Sequence, residues 1–247
     1  MSPEKSAAAC PNADIPREIQ TRYTRNLEAF TPEDLRKLKK SSVIILGAGG
    51  LGGNILEILA RTGVGHITVV DGDNFEASNL NRQLLCTEKN LGENKARAAV
   101  ERIRLINSET KVNALPVFLD DNSSATKILY KHDLVIDALG GINSKKILLK
   151  TAGNANKPLV TGFVAGWTGL ASTVLPGETG PLSFWEGEEQ DGAETRLGCI
   201  APVTTLIASV QSAETLRFLS GSPPRLSGGI LCVDMGDMTF NFMRIKK

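Results

Sequence analysis

A glycine-rich turn between two apolar segments constrains the fold of this chain more than any other feature of its sequence. The continuous apolar run Val43–Leu46 leads directly into the turn Gly47–Gly53, and a mostly apolar helical pattern follows over Asn54–Arg61. A second apolar run, His66–Val70, comes next and ends at Asp71. Because apolar runs without alternation are typical of strands covered on both faces, the order predicts a buried strand, a glycine loop, a helix and a second strand.

The same alternation of element types continues along the chain. Thr31–Asp34 combines a hydroxyl residue, a proline and two acids, which predicts the start of a short helix that ends at about Lys40. Apolar residues recur at helical spacing over Ala96–Ile106, and strands are expected over Val112–Phe118 and Leu134–Ile136. Strands that alternate with helices predict a mostly parallel sheet with right-handed crossovers.

The last hundred residues have a different pattern. Two strands separated by glycines are expected over Leu159–Val164 and Leu170–Leu175, and Pro202 opens an apolar helix. Apolar runs over Ile230–Val233 and Thr239–Ile245 predict a closing hairpin. The sequence therefore predicts an α/β fold: a Rossmann-like, mostly parallel sheet with helices on both faces, extended by C-terminal antiparallel strands.

The chain length of 247 residues is compatible with one large domain. Residues 1–16 are rich in Ala, Pro, Ser and charge and have no apolar period, so we interpret them as a flexible N-terminal tail. Residues 17–247 are expected to form a single domain. Within it, the polar stretch 177–196 is interpreted as a mobile loop.

Composition excludes several classes of protein. The chain has 28 basic and 27 acidic residues, so a bulk electrostatic attraction to nucleic acid is not expected, and an anion must meet a local site. No apolar run indicates a membrane span, and no secretory leader pattern opens the chain, so we expect a cytoplasmic protein. The four cysteines are dispersed without a C-x-x-C pair, which argues against a disulfide framework or a zinc site.

The glycine turn carries the first functional signal. It has the pattern G-x-G-x-x-G over Gly47–Gly52, it opens a helix, and Asp71 follows Gly52 by 19 residues at the end of the next strand. Glycines let the backbone approach phosphates, a helix N-terminus offers unpaired N–H groups, and a carboxylate at that distance accepts hydrogen bonds from ribose hydroxyls. We therefore predict a nucleotide site; the alternative is a purely structural turn.

Two cations follow the acid-ended strand. Arg82 lies in the polar stretch Asn79–Gln83, and Lys95 ends the stretch Gly92–Lys95. Arginine binds two phosphate oxygens and lysine supplies a compact charge, so together they suit a triphosphate and its leaving pyrophosphate. Taken singly, each cation is better explained by a solvated surface position, and it is their grouping behind the acid-ended strand that favours the phosphate role. A dinucleotide oxidoreductase is a weaker alternative, because the two histidines are poorly suited to donate its proton.

These motifs in combination resemble the ThiF/MoeB/HesA family, which is related to the ubiquitin-activating enzymes. The resemblance runs from about Arg22 to the C-terminus. It rests on the segments Arg22–Arg25, Gly47–Gly52, Asp71–Asp73, Ser78–Gln83, Gly92–Lys95 and Gly198–Pro202. The family uses ATP and magnesium to adenylate the C-terminal glycine carboxylate of a ubiquitin-like or sulfur-carrier protein, releases pyrophosphate, and commonly forms homodimers.

The resemblance implies a role for each matching residue. Arg82 and Lys95 would bind the phosphates, and Arg25 would act as an arginine finger supplied by the other subunit. The remaining candidates would bind the nucleotide, with Asp71 at the ribose: Gly47, Gly49, Gly50, Gly52, Asp71, Asp73, Asn79, Gln83 and Asp137.

The chain departs from the family pattern at three places. Gly140 stands where the family has its magnesium-associated aspartate. Either Asp137 would contribute to metal binding in its place, or the Gly140 and Gly141 N–H groups would face an anion. The segment 182–185 replaces the usual C-x-x-C of a zinc module. The cysteine that some relatives use for transfer aligns near Glu194, and we interpret the nearby Cys199 as a core residue.

The resemblance predicts a homodimeric adenylyltransferase that uses ATP and Mg²⁺, without zinc, and acts on a ubiquitin-like sulfur carrier ending in Gly-Gly. No metal ligand is assigned. One alternative is a nucleotide-binding scaffold that has lost turnover, which Gly140 favours. Another is activation of a small-molecule or tRNA-linked carboxylate, to which the nearly neutral composition gives little support.

Overall fold

The structure is a computed structural model, and it describes residues 22–118, 123–181 and 192–245. These residues form one sheet of eight strands in the order β3-β2-β1-β4-β5-β6-β7-β8. The strands are β1 (Ser42–Leu46), β2 (His66–Val70), β3 (Lys111–Leu115), β4 (Leu134–Asp137), β5 (Leu159–Ala165), β6 (Thr168–Val174), β7 (Gly229–Asp234) and β8 (Thr239–Arg244). Pairing is parallel from β3 to β5 and antiparallel from β5 to β8. The predicted mixed sheet is confirmed.

The helices connect the parallel strands and cover the sheet. They are α1 (Pro32–Lys40), α2 (Gly50–Thr62), α3 (Lys95–Ile106), α4 (Ser123–Tyr130), α5 (Ile142–Asn154), α6 (Ala193–Leu197) and α7 (Ala201–Leu219). The predicted helix start at Thr31 is confirmed, and it also has a capping box, in which the Thr31 side chain accepts from the Asp34 backbone N–H and the Asp34 carboxylate accepts from the Thr31 backbone N–H. None of the helices in the described ranges has the length and hydropathy needed to cross a membrane.

Alternate residues of β1 contact different helix layers. Val43 and Ile45 belong to the cluster formed with α2, α3 and α7, whereas Ile44 and Leu46 belong to the cluster formed with α4 and α5. All four side chains are fully buried. Each such burial stabilises the fold by about 1.5–3 kcal/mol relative to exposure. The continuous apolar run therefore exists because both faces of the strand are covered, as the sequence predicted.

Some boundaries differ from the prediction. Strand β3 ends at Leu115 instead of 118, because Pro116 has no N–H to donate to the ladder. Helix α2 begins at Gly50, inside the predicted turn. The end of the stretch expected to be a loop, 177–196, forms the short helix α6. The tail 1–16, its boundary at residue 17 and the zinc-replacing segment 182–185 lie outside the described residues.

The strand order produces a crevice beside β1. From β1 the chain moves to β2 and β3 on one side, and it then crosses to β4 on the other side of β1. In doubly wound sheets the connections diverge at such a point, and the crevice at the carboxyl ends of the strands receives the ligand.

Candidate functional site

A cavity of about 440 Å³ lies at this crevice, and its floor is formed by the ends of the central strands. Leu46 ends β1, Val70 ends β2 and Ala138 follows β4 directly, and all three line the cavity. The volume falls within the usual range for a small-molecule site.

The glycine loop forms one side of this cavity. Gly47 has φ +95°, and a Cβ there would lie 2.5 Å from the Ala138 carbonyl oxygen. A Cβ on Gly52 would lie 1.8 Å from the Gly47 carbonyl oxygen, so any side chain at position 52 would force the loop open. Gly49 caps α2 and lines the cavity with Gly50. The first N–H groups of a helix lack partners within the helix, and those of α2 begin at this cavity.

Asp71 fixes the loop from the end of β2. Its Oδ2 accepts a hydrogen bond from the Ala48 backbone N–H at 2.7 Å, and its Oδ1 accepts one from the Asp73 N–H at 2.8 Å. A carboxylate has about four acceptor positions, so these two bonds leave capacity for hydroxyl donors from a bound molecule. Asp71 lines the cavity, as the sugar-binding hypothesis requires.

Lys95 is the first residue of α3 and lies on the same side of the cavity as the glycine loop. Its side chain is 9% exposed, and its Nζ lies 3.2 Å from Asp73 Oδ2. The backbone is fixed as well, because the Lys95 N–H donates to the Asp73 carbonyl and the Asn94 side-chain amide donates to the carbonyls of Asp71 and Asp73. Lys95 therefore lines the cavity with an ammonium group that these contacts hold in position.

Arg82 and Gln83 complete this wall. The Arg82 guanidinium donates to the Ser78 carbonyl at 3.0 Å and to Asn81 Oδ1 at 2.9 Å while lining the cavity. Gln83 is buried, and its Oε1 has no hydrogen-bond partner among the described residues. A buried amide oxygen without a donor costs about 1–3 kcal/mol, so a donor from a bound molecule would stabilise this arrangement. We call Gly47–Gly50 with Asp71, Asp73, Arg82, Gln83 and Lys95 the glycine-loop wall.

The opposite side, the β4 wall, consists of Leu139, Gly140, Lys145, Phe163 and Glu194. Lys145 is 6% exposed, and its Nζ donates to Asp137 Oδ2 at 3.0 Å and to the Gly162 carbonyl at 2.7 Å. The ammonium also lies 4.4 Å from the centre of the Phe163 ring. The sequence analysis did not identify Lys145, because a lysine in the first turns of a helix is most often exposed.

Glu194 reaches the β4 wall from α6. Its Oε1 accepts a hydrogen bond from the Gly141 N–H, which begins α5, at 2.8 Å. Nearby Cys199 also lines the cavity and is half-buried, so it is not the core residue that was expected. Burial raises the pKa of the Cys199 thiol, and Arg82 only partly opposes this effect. A thiol that stays protonated at neutral pH is a poor nucleophile.

Eight of the twelve predicted site residues line the cavity, and four do not: Gly52, Asn79, Asp137 and Arg25. Gly52 lies behind the glycine loop, and the loop can adopt its conformation because position 52 has no side chain. Asn79 Oδ1 accepts from the Glu76 N–H and stabilises the turn that precedes Arg82. Asp137 is 1% exposed and lies beneath the cavity. Its carboxylate accepts hydrogen bonds from Lys145, Thr161 and the Leu139 N–H.

Arg25 lies at the far end of α2, in a 3₁₀ turn over Thr24–Asn26. The preceding Tyr23 is in van der Waals range of Gly63, which caps the C-terminus of α2, and its hydroxyl accepts from the Asn107 side chain at 2.9 Å. The 13-residue helix is about 20 Å long, so Arg25 is roughly that far from the glycine loop of its own chain. Arg25 is exposed.

The described residues contain no group of three or more His, Cys, Asp and Glu side chains arranged to hold a metal ion. Magnesium is normally bound by one or two carboxylates together with phosphate oxygens and water.

Comparison with known proteins gives the family. The ThiF family model matches residues 23–247. The chain is 33% identical over 242 residues to a sulfur carrier protein adenylyltransferase of Thermus thermophilus, with coverage of 94% of this chain and 89% of the relative. It is 29% identical over 248 residues to the molybdopterin-synthase adenylyltransferase of Escherichia coli, with coverage of 95% and 96%.

Other matches extend beyond the chain or support the fold alone. The chain spans about half the length of the relatives named adenylyltransferase and sulfurtransferase MOCS3. Among solved structures, a crystal structure of E. coli MccB superimposes with a TM-score of 0.79 at 24% identity, covering 92% of this chain and 72% of MccB. That likeness shows that the sheet and its helices follow a known arrangement.

Proposed function

Since the chain belongs to the ThiF family, we propose that it is an ATP-dependent adenylyltransferase that activates the C-terminal glycine carboxylate of a ubiquitin-like sulfur-carrier protein. A carboxylate oxygen of the carrier attacks the α-phosphorus of ATP, an acyl-adenylate forms, and pyrophosphate leaves. The observation that supports this most is that Arg82, Lys95 and the N-terminus of α2 face one cavity. The names of the relatives support the carrier as substrate.

The chemistry needs position and charge from this chain more than a covalent step. In the proposed arrangement, the backbone of Gly47–Gly50 receives the phosphates and Asp71 accepts from the ribose hydroxyls. Lys95 and Arg82 neutralise the charge that develops on pyrophosphate as it leaves. Asp73 holds Lys95 in place through their ion pair. Magnesium, when bound, would add positive charge at the phosphates.

We further propose that the enzyme is a cytoplasmic homodimer, that residues 17–247 form its single domain, and that Arg25 acts in the partner's site. The separation of about 20 Å between Arg25 and its own glycine loop supports a role in trans, because a side chain cannot span that distance. Arginine suits this role because its guanidinium binds phosphate oxygens in pairs.

Hybrid dimers test this arrangement. An Arg25→Ala protein and a Lys95→Ala protein, each inactive alone, should form hybrids in which one of the two sites has both an intact lysine and an intact arginine. Activity is therefore expected to return in purified hybrids. If verified hybrids stay inactive while both parents are folded and dimeric, the arginine does not act in trans.

The main experiment is exchange of labelled pyrophosphate into ATP, measured with candidate carriers that end in Gly-Gly. The proposal expects exchange that requires the intact carrier, and the matched control is the same carrier without its two terminal glycines. Exchange that persists with the truncated carrier would instead indicate a different carboxylate substrate, such as a small molecule.

A nucleotide-binding scaffold is the second candidate, and Gly140 favours it because the resemblance places a magnesium-associated aspartate there. Calorimetric ATP binding without exchange for any carrier would support the scaffold. Tight binding of NAD(H) without competition from ATP would instead support an oxidoreductase.

A further inference from the structure

Among the residues that the structure describes, three carboxylates line the cavity, and they differ in the groups that already bind them. Both oxygens of Asp71 accept from backbone N–H groups, and Asp73 is paired with Lys95. Glu194 accepts only from the Gly141 N–H through Oε1, and no ion pair involves it within the described ranges. Among these three acids, Glu194 is the one that has, in the described part of the chain, neither a counter-ion nor a hydrogen bond on its second oxygen.

Two glycines leave room for this carboxylate. At Gly140, a Cβ would have Glu194 Oε1 as its nearest neighbour, at 3.9 Å. At Gly192, a Cβ would lie 1.9 Å from Glu194 Oε2. The φ of Gly192 is −70°, which any residue adopts, so a side chain at this position would displace the Glu194 carboxylate without straining the backbone. The carboxylate therefore occupies the space into which a side chain at position 140 would extend.

A carboxylate at this position opposes the binding of a polyphosphate unless a cation lies between them. None of the three described cations that line the cavity is paired with Glu194: Lys95 is paired with Asp73, Lys145 is paired with Asp137, and Arg82 donates to Ser78 and Asn81. Mg²⁺ is held by one or two carboxylates together with phosphate oxygens and water, so a single glutamate is a sufficient protein ligand.

We propose that Glu194, through Oε2, is the protein ligand of the Mg²⁺ that accompanies ATP, and that it replaces from α6 the carboxylate missing at Gly140. This inference rests on the proposed function in that it takes ATP as the nucleotide. It assigns the metal to a residue outside the β4–α5 turn.

Mn²⁺ provides a direct probe, because its electron paramagnetic resonance signal distinguishes free from bound ion. The Mn²⁺ dissociation constant is measured with the full chain at a saturating concentration of a non-hydrolysable ATP analogue. For Glu194→Gln, we expect Mn²⁺ affinity to fall about tenfold or more. The control Glu101→Gln, an exposed acid of α3, should leave Mn²⁺ affinity unchanged.

The decisive variant places a carboxylate at position 140. Gly140→Asp in the Glu194→Gln background should restore most of the lost affinity, because a Cβ at 140 has its nearest neighbour, Glu194 Oε1, at 3.9 Å and the added carboxylate would extend from there. Thermal unfolding of every variant verifies the fold. Glu194→Asp serves as a second variant, which keeps the charge and should bind Mn²⁺ better than Glu194→Gln.

Two results overturn the assignment. The first is unchanged Mn²⁺ affinity in Glu194→Gln with tighter binding of the metal-free analogue, because the glutamate would then only exclude an anion from the start of α5. The second is a wild-type chain that binds no ATP analogue. If the Mn²⁺ results are as expected but no carrier supports pyrophosphate exchange, the proposed function fails while the ligand assignment stands.

Discussion

The two walls of the cavity are assembled in opposite ways. The glycine-loop wall comes from residues 47–95, a β-loop-α-β unit and the start of the next helix, and hydrogen bonds within this one segment hold its groups. The β4 wall brings together residues 139–145, Phe163 and Glu194, which are far apart in sequence. The first kind of wall can be recognised from local motifs, whereas the second exists only once the sheet and its crossovers have formed.

The contrast is sharpest between the two lysines, one on each wall. Both are nearly buried, and each is paired with an aspartate at 3.0–3.2 Å. The partner of Lys95, Asp73, has 55% of its side chain exposed, whereas the partner of Lys145, Asp137, has 1% exposed. Removal of either lysine leaves an aspartate without its counter-ion, but only the Asp137 carboxylate is shielded from water. The structure therefore predicts that Lys145 serves stability and Lys95 serves activity.

The largest expected effect is the loss of stability in Lys145→Ala. Breaking a buried ion pair costs about 3–5 kcal/mol, because the remaining charge has no compensation. Urea unfolding measures the change, and Lys150→Ala, an exposed position on the same helix, should change stability by less than about 0.5 kcal/mol. The double variant Asp137→Leu, Lys145→Met should recover much of the loss. Similar stability of Lys145→Ala and Lys150→Ala would remove the contrast between the walls.

Lys95→Ala is expected to act on the reaction instead. Removing one group that stabilises developing charge lowers the rate about 10²–10³-fold, which corresponds to about 3–4 kcal/mol. Its pair with the exposed Asp73 contributes about 0–1 kcal/mol to stability, so the fold should persist. Pyrophosphate exchange and urea unfolding are measured together, with the exposed Arg97→Ala as the control on the same helix. A normal exchange rate in Lys95→Ala would contradict the role proposed for this lysine.

The groups of the glycine-loop wall could be expected to lie together from the sequence, for a physical reason. The groups of a β-loop-α-β unit lie close in sequence, so Gly47, Asp71 and Lys95 were found from their order and spacing. Asp137 was also selected from a motif, but a motif does not show that Lys145 and Thr161 would take up its carboxylate. Glu194 had no local signal, because its position depends on where α6 meets the start of α5.

The fold follows the same division. Strand β1 could be predicted because its apolar run is a direct consequence of coverage on both faces. Helix α6 was missed because five residues, among them an acid, an arginine and a threonine, carry no apolar period. Its place is fixed by a long-range bond between Gly141 N–H and Glu194.

A pair of alanine substitutions compares one glycine from each side. Gly52→Ala should destabilise the fold by about 2–3 kcal/mol, because its Cβ would lie 1.8 Å from a backbone oxygen that has no flexible side chain to move. Gly140→Ala should change stability by less than about 0.5 kcal/mol, since its Cβ has one neighbour at 3.9 Å. Thermal or urea unfolding measures both. Equal losses of stability in the two variants would show that the backbone at Gly52 is no more closely packed than the backbone at Gly140.

The smallest expected effect concerns His132, which follows α4 in the helix layer behind the β4 wall. Its ring nitrogens lie 2.9 Å from the Ile128 carbonyl oxygen and from Thr68 Oγ1. Burial lowers the pKa of His132 below its usual value of 6.5, although Asp133 partly opposes this. The unfolded chain therefore binds the proton first, so the contribution of the neutral ring is complete above pH 6.5 and is lost as the pH falls toward the lowered pKa. Urea unfolding at pH 7.5 and 5.5 should show this loss in the wild type and a smaller loss in His132→Gln.

The control His66→Gln changes an exposed ring at the start of β2 and should keep the wild-type pH dependence. An unchanged pH dependence in His132→Gln would mean that this layer does not respond to protonation of the ring.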